Sequence, residues 1–159
     1  MIRKFQPQDT DKVMKIWLNG SLDSHDFIPA AYWQKNFAVV RDEYLPAAQT
    51  YVWEENGEVK AFASLGDEDY LGALFVSADA RGRGIGKALM FELQKNYSRL
   101  NLQVYSQNKK AVRFYHRCGF QILREGIDEL TGADELLMSW NKGNVSGDLV
   151  YHYARQTNL

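Results

Sequence analysis

The sequence predicts an α/β fold and a single domain in a chain of 159 residues. Strand-like segments alternate with segments of helical spacing, in the order β-α-α-β-β-β-α-β-α-β-β, and the first strand is expected at residues 2–5. The pair Asn56-Gly57 stands between two apolar runs and indicates a tight hairpin. A buried-type strand, a glycine-rich bend and an amphipathic helix then follow one another between residues 74 and 97.

Two helices are predicted between the first strand and the hairpin. Asp9 or Thr10 is placed to cap the first of them, whose apolar residues follow helical spacing. A polar break at residues 19–26 is expected to end it. The second helix is expected to begin at Pro29, because proline is tolerated in the first turn, and to stop at Pro46.

The chain from residue 50 onward supplies the other predicted elements. They are hairpin strands at 50–54 and 58–65, a strand at 69–76, a helix at 85–97, a strand at 101–105, a helix at 108–118 that Gly119 ends, and strands at 120–123 and 136–140. Together they make one domain at residues 1–140. Residues 141–159 form a polar tail with an apolar patch at 149–153, interpreted as an extra strand, a contact with a second subunit or a frayed end.

The composition excludes several classes of protein. Nineteen basic and twenty acidic residues give a formal charge of −1, whereas a nucleic-acid-binding protein normally carries a basic excess. No apolar run is long enough to span a bilayer, and the polar start is unlike a secretory signal. A single cysteine and three widely spaced histidines predict neither an internal disulfide nor a metal site. We therefore expect a cytoplasmic protein.

The glycine-rich bend has the features of a phosphate-binding site. It combines three alternate glycines with three cations: Gly82, Gly84, Gly86, Arg81, Arg83 and Lys87. Glycine lets a ligand approach the main chain without meeting a Cβ atom, and the amides at a helix N-terminus suit phosphate oxygens. The cations raise the local positive potential in a nearly neutral protein. The bend is therefore predicted to hold a phosphate group.

Two familiar phosphate motifs do not match this bend. A P-loop needs a glycine five positions before Gly86 and a serine or threonine after Lys87, but the chain has Arg81 and Ala88 there. The dinucleotide-binding pattern G-x-G-x-x-G does not match either, because its last glycine is absent here. That pattern should also occur in the first strand–helix unit, whereas this bend follows about half of the chain. A glycine-rich turn that only joins a strand to a helix stays as the alternative.

The bend resembles a signature of the GNAT family of N-acetyltransferases. Arg81-Gly82-Arg83-Gly84-Ile85-Gly86 is similar to the family pattern R/Q-x-x-G-x-G/A. The resemblance implies a mixed, twisted sheet of about seven strands with helices on both faces, splayed where acetyl-CoA binds. It also implies that the amides from Arg81 to Lys87 hold the CoA diphosphate. The main chain at Leu74, Phe75 and Val76 would bind the pantetheine arm.

A second segment resembles the same family. Residues 108–120 are similar to its pattern N-x-x-A-x-x-F-Y-x-x-x-G-F, in the family's order after the bend. Asn108 and Tyr115 are seven residues apart and share a helix face. The resemblance implies that Asn108 binds the pantetheine arm and that the Tyr115 hydroxyl, with an ordinary pKa of about 10, protonates the departing thiolate. The alternative is an amphipathic helix in which Asn108 is a cap and Tyr115 fills the core.

The acceptor amine must lose a proton before it attacks, and the base is not obvious. Glu68 and Asp69 are candidates for this base, with Asp69 expected on the other side of the strand from Tyr70. Several GNAT enzymes place a glutamate on the strand before the glycine loop, at the position where this chain has Tyr70. A direct glutamate base is therefore not expected there, and Tyr70 is assigned to the acceptor side.

Three further residues are candidates for the acceptor side. His25 and Asp26 lie between the first two helices, where they could shuttle a proton or bind the acceptor. Tyr105 could line the groove from its strand end. The alternatives are a solvated loop for the first two and half-buried packing for the tyrosine.

We expect acetyl transfer from acetyl-CoA to a primary amine by direct attack in a ternary complex. Segments 25–28, 32–33 and 138–140 resemble small bacterial GNAT proteins tied to protein lysine acetylation, so protein lysine is the first acceptor considered. The alternatives are a small amine (polyamine, aminoglycoside or amino acid), a non-catalytic acetyl-CoA sensor, and a toxin that acetylates charged tRNA. No nucleic acid, membrane or metal is expected as a partner, and the protein is expected to be a monomer or homodimer.

Overall fold

The computed structural model describes residues 1–143. The described chain divides into a first unit, Met1–Leu93, and a second unit that starts at Gln94. Seven strands are present in the described residues, in one sheet of four and one of three, with helices between them. The predicted α/β fold and strand count are confirmed. The strand pairs within both sheets are antiparallel, and the interpretations of residues 144–159 fall outside the described part.

The first unit contains a meander sheet in the order β1-β2-β3-β4. Its strands are β1 (Ile2–Lys4), β2 (Gln49–Glu55), β3 (Glu58–Leu65) and β4 (Leu71–Val76). Asn56 and Gly57 turn the β2–β3 hairpin with φ values of 53° and 77°, which confirms the predicted turn. From Ala61 onward β3 is buried on both faces, which makes it the centre of this unit's core.

The helices of the first unit lie in two groups. The first group precedes the hairpin and consists of α1 (Thr10–Ser24), α2 (Ala30–Val39), a π-helical turn (Val40–Tyr44) and the short α3 (Leu45–Ala47). The second group is α4 (Ile85–Asn96), which follows β4 and begins in this unit. The second helical segment thus starts directly after Pro29 and ends just past Pro46, close to the predicted limits.

The predicted break after the first helix is wrong, because α1 continues to Ser24. Gly20 and Ser21 are buried, and the helix packs closely on β4 at that point. A Cβ atom on Gly20 would lie 2.9 Å from Cε1 of Phe75. Glycine usually weakens a helix by about 1 kcal/mol relative to alanine, but here it permits the contact that buries this turn.

Asp9 occupies the N-cap position of α1 as predicted, but the capping bond expected from its side chain is absent. The carboxylate of Asp9 does not cap that helix; it accepts a hydrogen bond from the Gln6 amide at 2.8 Å. The same carboxylate accepts two bonds from the Arg3 guanidinium, at 2.8 and 2.9 Å. These bonds lower the pKa of the buried Asp9 carboxyl. Thr10 Oγ1 donates to the carbonyl of Pro7 at 2.7 Å, so neither candidate caps α1 through its side chain.

The second unit is a three-stranded sheet with one helix. Its elements are β5 (Arg99–Tyr105), α5 (Lys109–Arg117), β6 (Gln121–Ile127) and β7 (Asp134–Asn141), with strand order β5-β7-β6. Leu100, Leu102, Phe120 and Met138 are almost fully buried and form its core. Gly119, at a φ of 97°, follows the end of α5 as predicted.

Residues 1–143 lack two kinds of feature. None of the helices there combines the length and the apolar character that a membrane span requires. In the same residues, no group of three or more histidine, cysteine, aspartate or glutamate side chains is arranged to hold a metal ion.

Candidate functional site

The predicted phosphate loop joins the end of β4 to α4. Leu74, Phe75 and Val76 are the half-buried last residues of β4. A 3₁₀ turn (Ala78–Ala80) then leads to the exposed residues 81–84. Buried Ile85 anchors the start of α4 in an apolar cluster with Ala61, Ala80 and Leu89. The loop is thus exposed between two elements that are fixed by burial.

Two glycines keep the main chain of this loop accessible. Gly82 and Gly84 have φ values of 77° and 81°, in the left-handed region that side chains rarely adopt. At both positions a Cβ atom would have no neighbour within 4 Å. The side of the loop toward which these atoms would point is therefore open space. A ligand can approach the backbone there without steric obstruction.

The start of α4 supplies hydrogen-bond donors beside this open space. The Ala88 amide donates to the carbonyl of Gly84 at 3.0 Å, so the helical bonding begins there. The amides of Ile85, Gly86 and Lys87 in the first turn then have no acceptor within the helix. Such amides carry a partial positive charge and bind anions. The loop therefore has the donors and the space that a diphosphate requires.

The loop cations have carboxylate neighbours that the sequence did not indicate. Arg83 forms a bidentate ion pair with Glu55, in which two guanidinium nitrogens donate to the two carboxylate oxygens at 2.7 and 2.8 Å. These bonds lower the pKa of the Glu55 carboxyl. The Arg81 guanidinium lies 3.6 Å from Asp23. Lys87 is exposed on α4. These pairs offset part of the expected positive potential, and they tie the loop to the hairpin and to α1.

A second set of polar contacts fixes the turn that precedes the loop. Lys60 Nζ and Ser77 Oγ donate to the two carboxylate oxygens of Asp79, at 2.8 and 2.7 Å. The hydrogen bond from Lys60 is the main cause that lowers the pKa of Asp79 to about 2. The Ser77 amide also donates to the Lys60 carbonyl at 2.7 Å. The turn is therefore held by an ion pair that remains charged at neutral pH.

Tyr70 stands just before β4, at the end of a strained turn. The predicted strand at 69–76 is too long at its start, since β4 begins at Leu71. A 3₁₀ turn (Asp67–Asp69) precedes it, in which Glu68 and Asp69 have φ values of 57° and 59°. Tyr70 closes this turn by donating its amide to the Asp67 carbonyl at 3.2 Å. Asp69 is therefore part of the turn and has no strand face opposite Tyr70.

His25 and Asp26 have different environments in the structure. The His25 ring is buried at 8% exposure, stacks on Trp33 at 4.9 Å between ring centroids and meets the edge of Phe27 at 5.8 Å. Burial lowers the pKa of His25 to about 4, so the ring is neutral at pH 7. Asp26 is exposed. One side chain is packed among aromatic rings and the other faces solvent, which is not the arrangement of a histidine–aspartate relay.

The second sequence motif forms α5 in the second unit. The Asn108 side chain caps this helix by accepting the Ala111 amide at 3.3 Å. The ring of the half-buried Tyr115 contacts Phe114 and Phe120, with centroid distances of 5.4 and 5.7 Å. The capping and ring-packing roles considered for these residues are therefore present.

Tyr105 has a specific partner that the sequence analysis missed. Its hydroxyl donates to Asp128 Oδ2 at 2.6 Å, and this bond connects the end of β5 to the β6–β7 turn. Glu135 of β7 is half-buried beside this pair, and burial and the nearby Asp128 raise its pKa. The partners are 23 residues apart in the chain, and no local pattern connects them. Tyr105 thus belongs to an acidic group at one end of the second sheet.

Comparison with known proteins adds independent findings. A family model described as acetyltransferase (GNAT) domain matches residues 23–132. The chain is 39% identical over 140 residues to peptidyl-lysine N-acetyltransferase YiaC of Escherichia coli, covering 88% of this chain and 96% of the relative. The solution structure of apo YjaB from Escherichia coli matches with a TM-score of 0.77 and 27% identity, covering 90% of this chain and 98% of that one.

One further solved structure was described together with a cofactor. That structure, of yncA from Salmonella typhimurium with its cofactor acetyl-CoA, matches with a TM-score of 0.63 and 21% identity. The match covers 89% of this chain and 92% of that one. At this identity it supports the fold. The family match spans both the glycine loop and α5.

Proposed function

The chain belongs to the GNAT family of acetyl-CoA-dependent N-acetyltransferases, and we propose that its acceptor is the side-chain amine of a lysine in a protein. The acceptor is suggested by the relative at 39% identity, whose name states that activity. We further propose a bacterial, cytoplasmic enzyme that works as a monomer or homodimer without nucleic acid or membrane partners. The near-neutral charge and the bacterial origin of the similar proteins support this part.

The observation that carries the proposal is the glycine loop, which offers open space and hydrogen-bond donors to the diphosphate of acetyl-CoA. The open space at Gly82 and Gly84 would admit the phosphates, and the first-turn amides of α4 would donate to them. The family resemblance assigns the pantetheine arm to the main chain of Leu74–Val76, and it assigns a contact with the same arm to the Asn108 side chain. Bound in this way, acetyl-CoA supplies an acetyl thioester, which is an activated acyl donor.

The proposed reaction needs three proton transfers. The lysine ammonium, with an ordinary pKa of about 10.4, first gives one proton to water. The neutral nitrogen then forms a bond to the acetyl carbon while the carbon–sulfur bond breaks. The Tyr115 hydroxyl gives its proton to the departing sulfur and recovers one from the new amide nitrogen through solvent. One proton is released to solvent in each cycle, and free CoA thiol leaves.

Water is the proposed acceptor of the first proton. Tyr70 occupies the position where several family members have a glutamate. A histidine whose pKa is about 4 is a weak base at neutral pH, so the buried His25 ring is not suited to this step. The amine therefore needs a path to solvent and a group that orients its lone pair.

The test is acceptor-dependent release of CoA thiol. Purified protein and acetyl-CoA are mixed with lysine peptides, a polyamine, an aminoglycoside or free amino acids, and products are identified by mass spectrometry. We expect the fastest release with lysine peptides and acetylation at the lysine Nζ. Turnover restricted to small amines would replace the acceptor in the proposal. CoA binding without amine-dependent release from any acceptor would instead indicate a sensor.

A further inference from the structure

One side of α5 is exposed and strongly basic. Among the nine residues of this helix, four are exposed lysines or arginines and none is acidic. At 3.6 residues per turn, these four side chains fall within about 100° of the helix circumference. We call this surface the basic face of α5, and it consists of Lys109, Lys110, Arg113 and Arg117.

The charges of the basic face are not neutralised by carboxylates of the protein. None of the four side chains forms an ion pair within residues 1–143. In the first unit, by contrast, every arginine forms an ion pair with a carboxylate, and these arginines are Arg3, Arg41, Arg81 and Arg83. The basic face therefore differs from the arginine sites of the first unit.

The positions of these charges are unfavourable for an isolated helix. Arg113 is four residues from both Lys109 and Arg117, and like charges at this spacing repel each other. Lys109 and Lys110 occupy the first turn, where the helix dipole disfavours a cation, and only Arg117 lies at the end that favours one. Neutral or acidic residues would serve a merely solvated face at lower cost. The pattern therefore indicates an anionic partner.

Charge also decides between the possible partners. Residues 144–159 contain one acidic residue, Asp148, and one basic residue, Arg155, so their charge is not complementary to the basic face. A nucleic acid is disfavoured because the whole chain has a formal charge of −1, whereas nucleic-acid-binding proteins normally carry a basic excess. An acidic segment of another protein has the complementary charge and requires no such excess.

The basic face belongs to the same helix as two residues assigned to acetyl-CoA. Asn108 and the half-buried Tyr115 lie on the side of α5 that is opposite to the basic face. A helix with its side chains is about 10–12 Å across, and an extended chain covers about 3.3 Å per residue. A protein segment bound to the basic face could therefore pass around the helix within roughly six to ten residues.

We propose that the basic face of α5 binds an acidic segment of the acceptor protein, and that the enzyme thereby prefers lysines with acidic residues about six to ten positions away. This inference rests on the proposed function, because it narrows the class of acceptor for the same reaction. The four cations contact the acceptor protein by ion pairing and take no part in acetyl transfer. They are therefore determinants of acceptor specificity.

Two synthetic peptides of about 20 residues, each with a single lysine, test this preference. One carries four glutamates six to ten positions from the lysine, and the other carries glutamines in the same places. We expect kcat/KM to be about tenfold higher for the glutamate peptide at low salt, since each exposed ion pair contributes a factor of roughly two to five. Raising the ionic strength from about 0.01 M to about 0.15 M shortens the Debye length from about 30 Å to about 8 Å and should reduce the preference.

The triple variant Lys110→Gln/Arg113→Gln/Arg117→Gln removes three charges of the basic face and keeps residues that favour a helix. It should use the two peptides with equal kcat/KM. Its kcat/KM for the glutamine peptide and its Kd for acetyl-CoA, measured by calorimetry, should stay at the wild-type values. These two readouts separate a lost docking contact from a damaged catalytic site.

The matched control is Lys4→Gln/Lys15→Gln/Lys35→Gln, which removes three exposed charges from the first unit. It changes the net charge by the same amount and should keep the full preference for the glutamate peptide. An equal loss of preference in this control would overturn the inference, because the effect would then come from net charge alone.

Other outcomes would also overturn the inference. They are equal kcat/KM for the two peptides in the wild type, or a preference that survives in the α5 variant. A weaker Kd for acetyl-CoA in that variant would assign the basic face to the cofactor phosphates. Salt-sensitive self-association that the variant loses would assign it to a second copy of the chain. Tighter binding of an RNA of about 20 nucleotides than of the glutamate peptide would assign it to nucleic acid.

Direct binding of the peptides separates this inference from the proposed function. Fluorescence anisotropy of labelled peptides requires no turnover, and the glutamate peptide should bind more tightly than the glutamine peptide. That result without thiol release from any acceptor would remove the proposed function and leave the docking surface in place. Thiol release from both peptides at equal rates would remove the docking surface and leave the proposed function in place.

Discussion

Replacing Gly84 by alanine measures how far the proposed diphosphate site depends on the loop backbone. The residue has a φ of 81°, and an added Cβ would have no neighbour within 4 Å, so no clash is expected in the free protein. The cost is conformational, about 1–2 kcal/mol for a side chain in the left-handed region. Alanine also reduces the conformational entropy of the unfolded chain, and this offsets about 0.4–1 kcal/mol of the conformational cost. The net loss of about 1 kcal/mol corresponds to a fall of about 2–4 °C in Tm.

The expected effect on ligand binding is larger than the effect on stability. The methyl group would enter the space that a diphosphate needs, at the cost of at least one hydrogen bond to a charged group, about 1.5–3 kcal/mol. Since about 1.4 kcal/mol is a factor of ten, the Kd for acetyl-CoA should rise at least about tenfold. Gly84→Glu adds a repulsion of about 3 kcal/mol for charges roughly 6 Å apart at an effective dielectric constant of about 20. Calorimetry should then detect no binding.

Gly132→Ala is the matched control for this experiment. Gly132 has a φ of 75° and the same open surroundings, in the β6–β7 turn of the second unit. It should show a similar fall in Tm with wild-type affinity for acetyl-CoA. Undiminished affinity in Gly84→Glu would refute the assignment of the diphosphate to this loop. Equal loss of affinity in Gly132→Ala would mean that the effect of Gly84→Ala is general destabilisation.

Three further predictions concern other parts of the molecule. Tyr115→Phe should lower kcat for a lysine peptide more than it raises KM for acetyl-CoA, and a wild-type kcat in steady-state assays would assign the tyrosine to packing alone. Because the pKa of His25 is about 4 in the folded protein and 6.5 in the unfolded chain, the unfolded state binds the proton first. The contribution of the neutral His25 ring to the free energy of unfolding is fully present above about pH 6.5. It is lost as the pH falls toward 4, by up to about 3 kcal/mol. The free energy of unfolding, measured by urea titration at several pH values, should depend less on pH in His25→Phe than in the control His116→Gln. An equal pH dependence in the two variants would contradict the role given to His25. Gly20→Ala should lower the free energy of unfolding by about 1–3 kcal/mol, because its Cβ would press on the Phe75 ring, and a more stable variant would disprove that contact.

The elements that were predicted correctly carry their signals within a few residues. Asn56 and Gly57 adopt the positive φ values that their turn requires, Gly119 does the same after α5, and Pro29 sets the start of α2. These preferences belong to single residues and do not depend on distant contacts. The breaks and caps that failed depend on tertiary packing. Gly20 is helical because Phe75 covers it.

In the candidate site, too, only the features that are encoded within a few residues could be predicted. The glycine loop could be located because its residues act through their own backbone. The ion pairs could not, since Arg83 and Glu55 are 28 residues apart and either could have met another partner. The left-handed turn at Glu68 and Asp69 lacks the glycine or asparagine that usually indicates one. The β-bulge at Gly72, where the β3–β4 register shifts, is likewise not revealed by periodicity.

The contact between Gly20 and Phe75 leaves no room for a side chain at position 20. A Cβ atom there would lie 2.9 Å from Cε1 of Phe75, so a larger residue would push α1 away from β4. The acceptor-side candidates His25, Asp26 and Tyr70 lie just beyond this contact, after the end of α1 and before the start of β4. We expect that a mutagenesis library aimed at altered acceptor choice yields more folded variants when it randomises residues 25–29 and 66–70 and leaves positions 20 and 75 fixed.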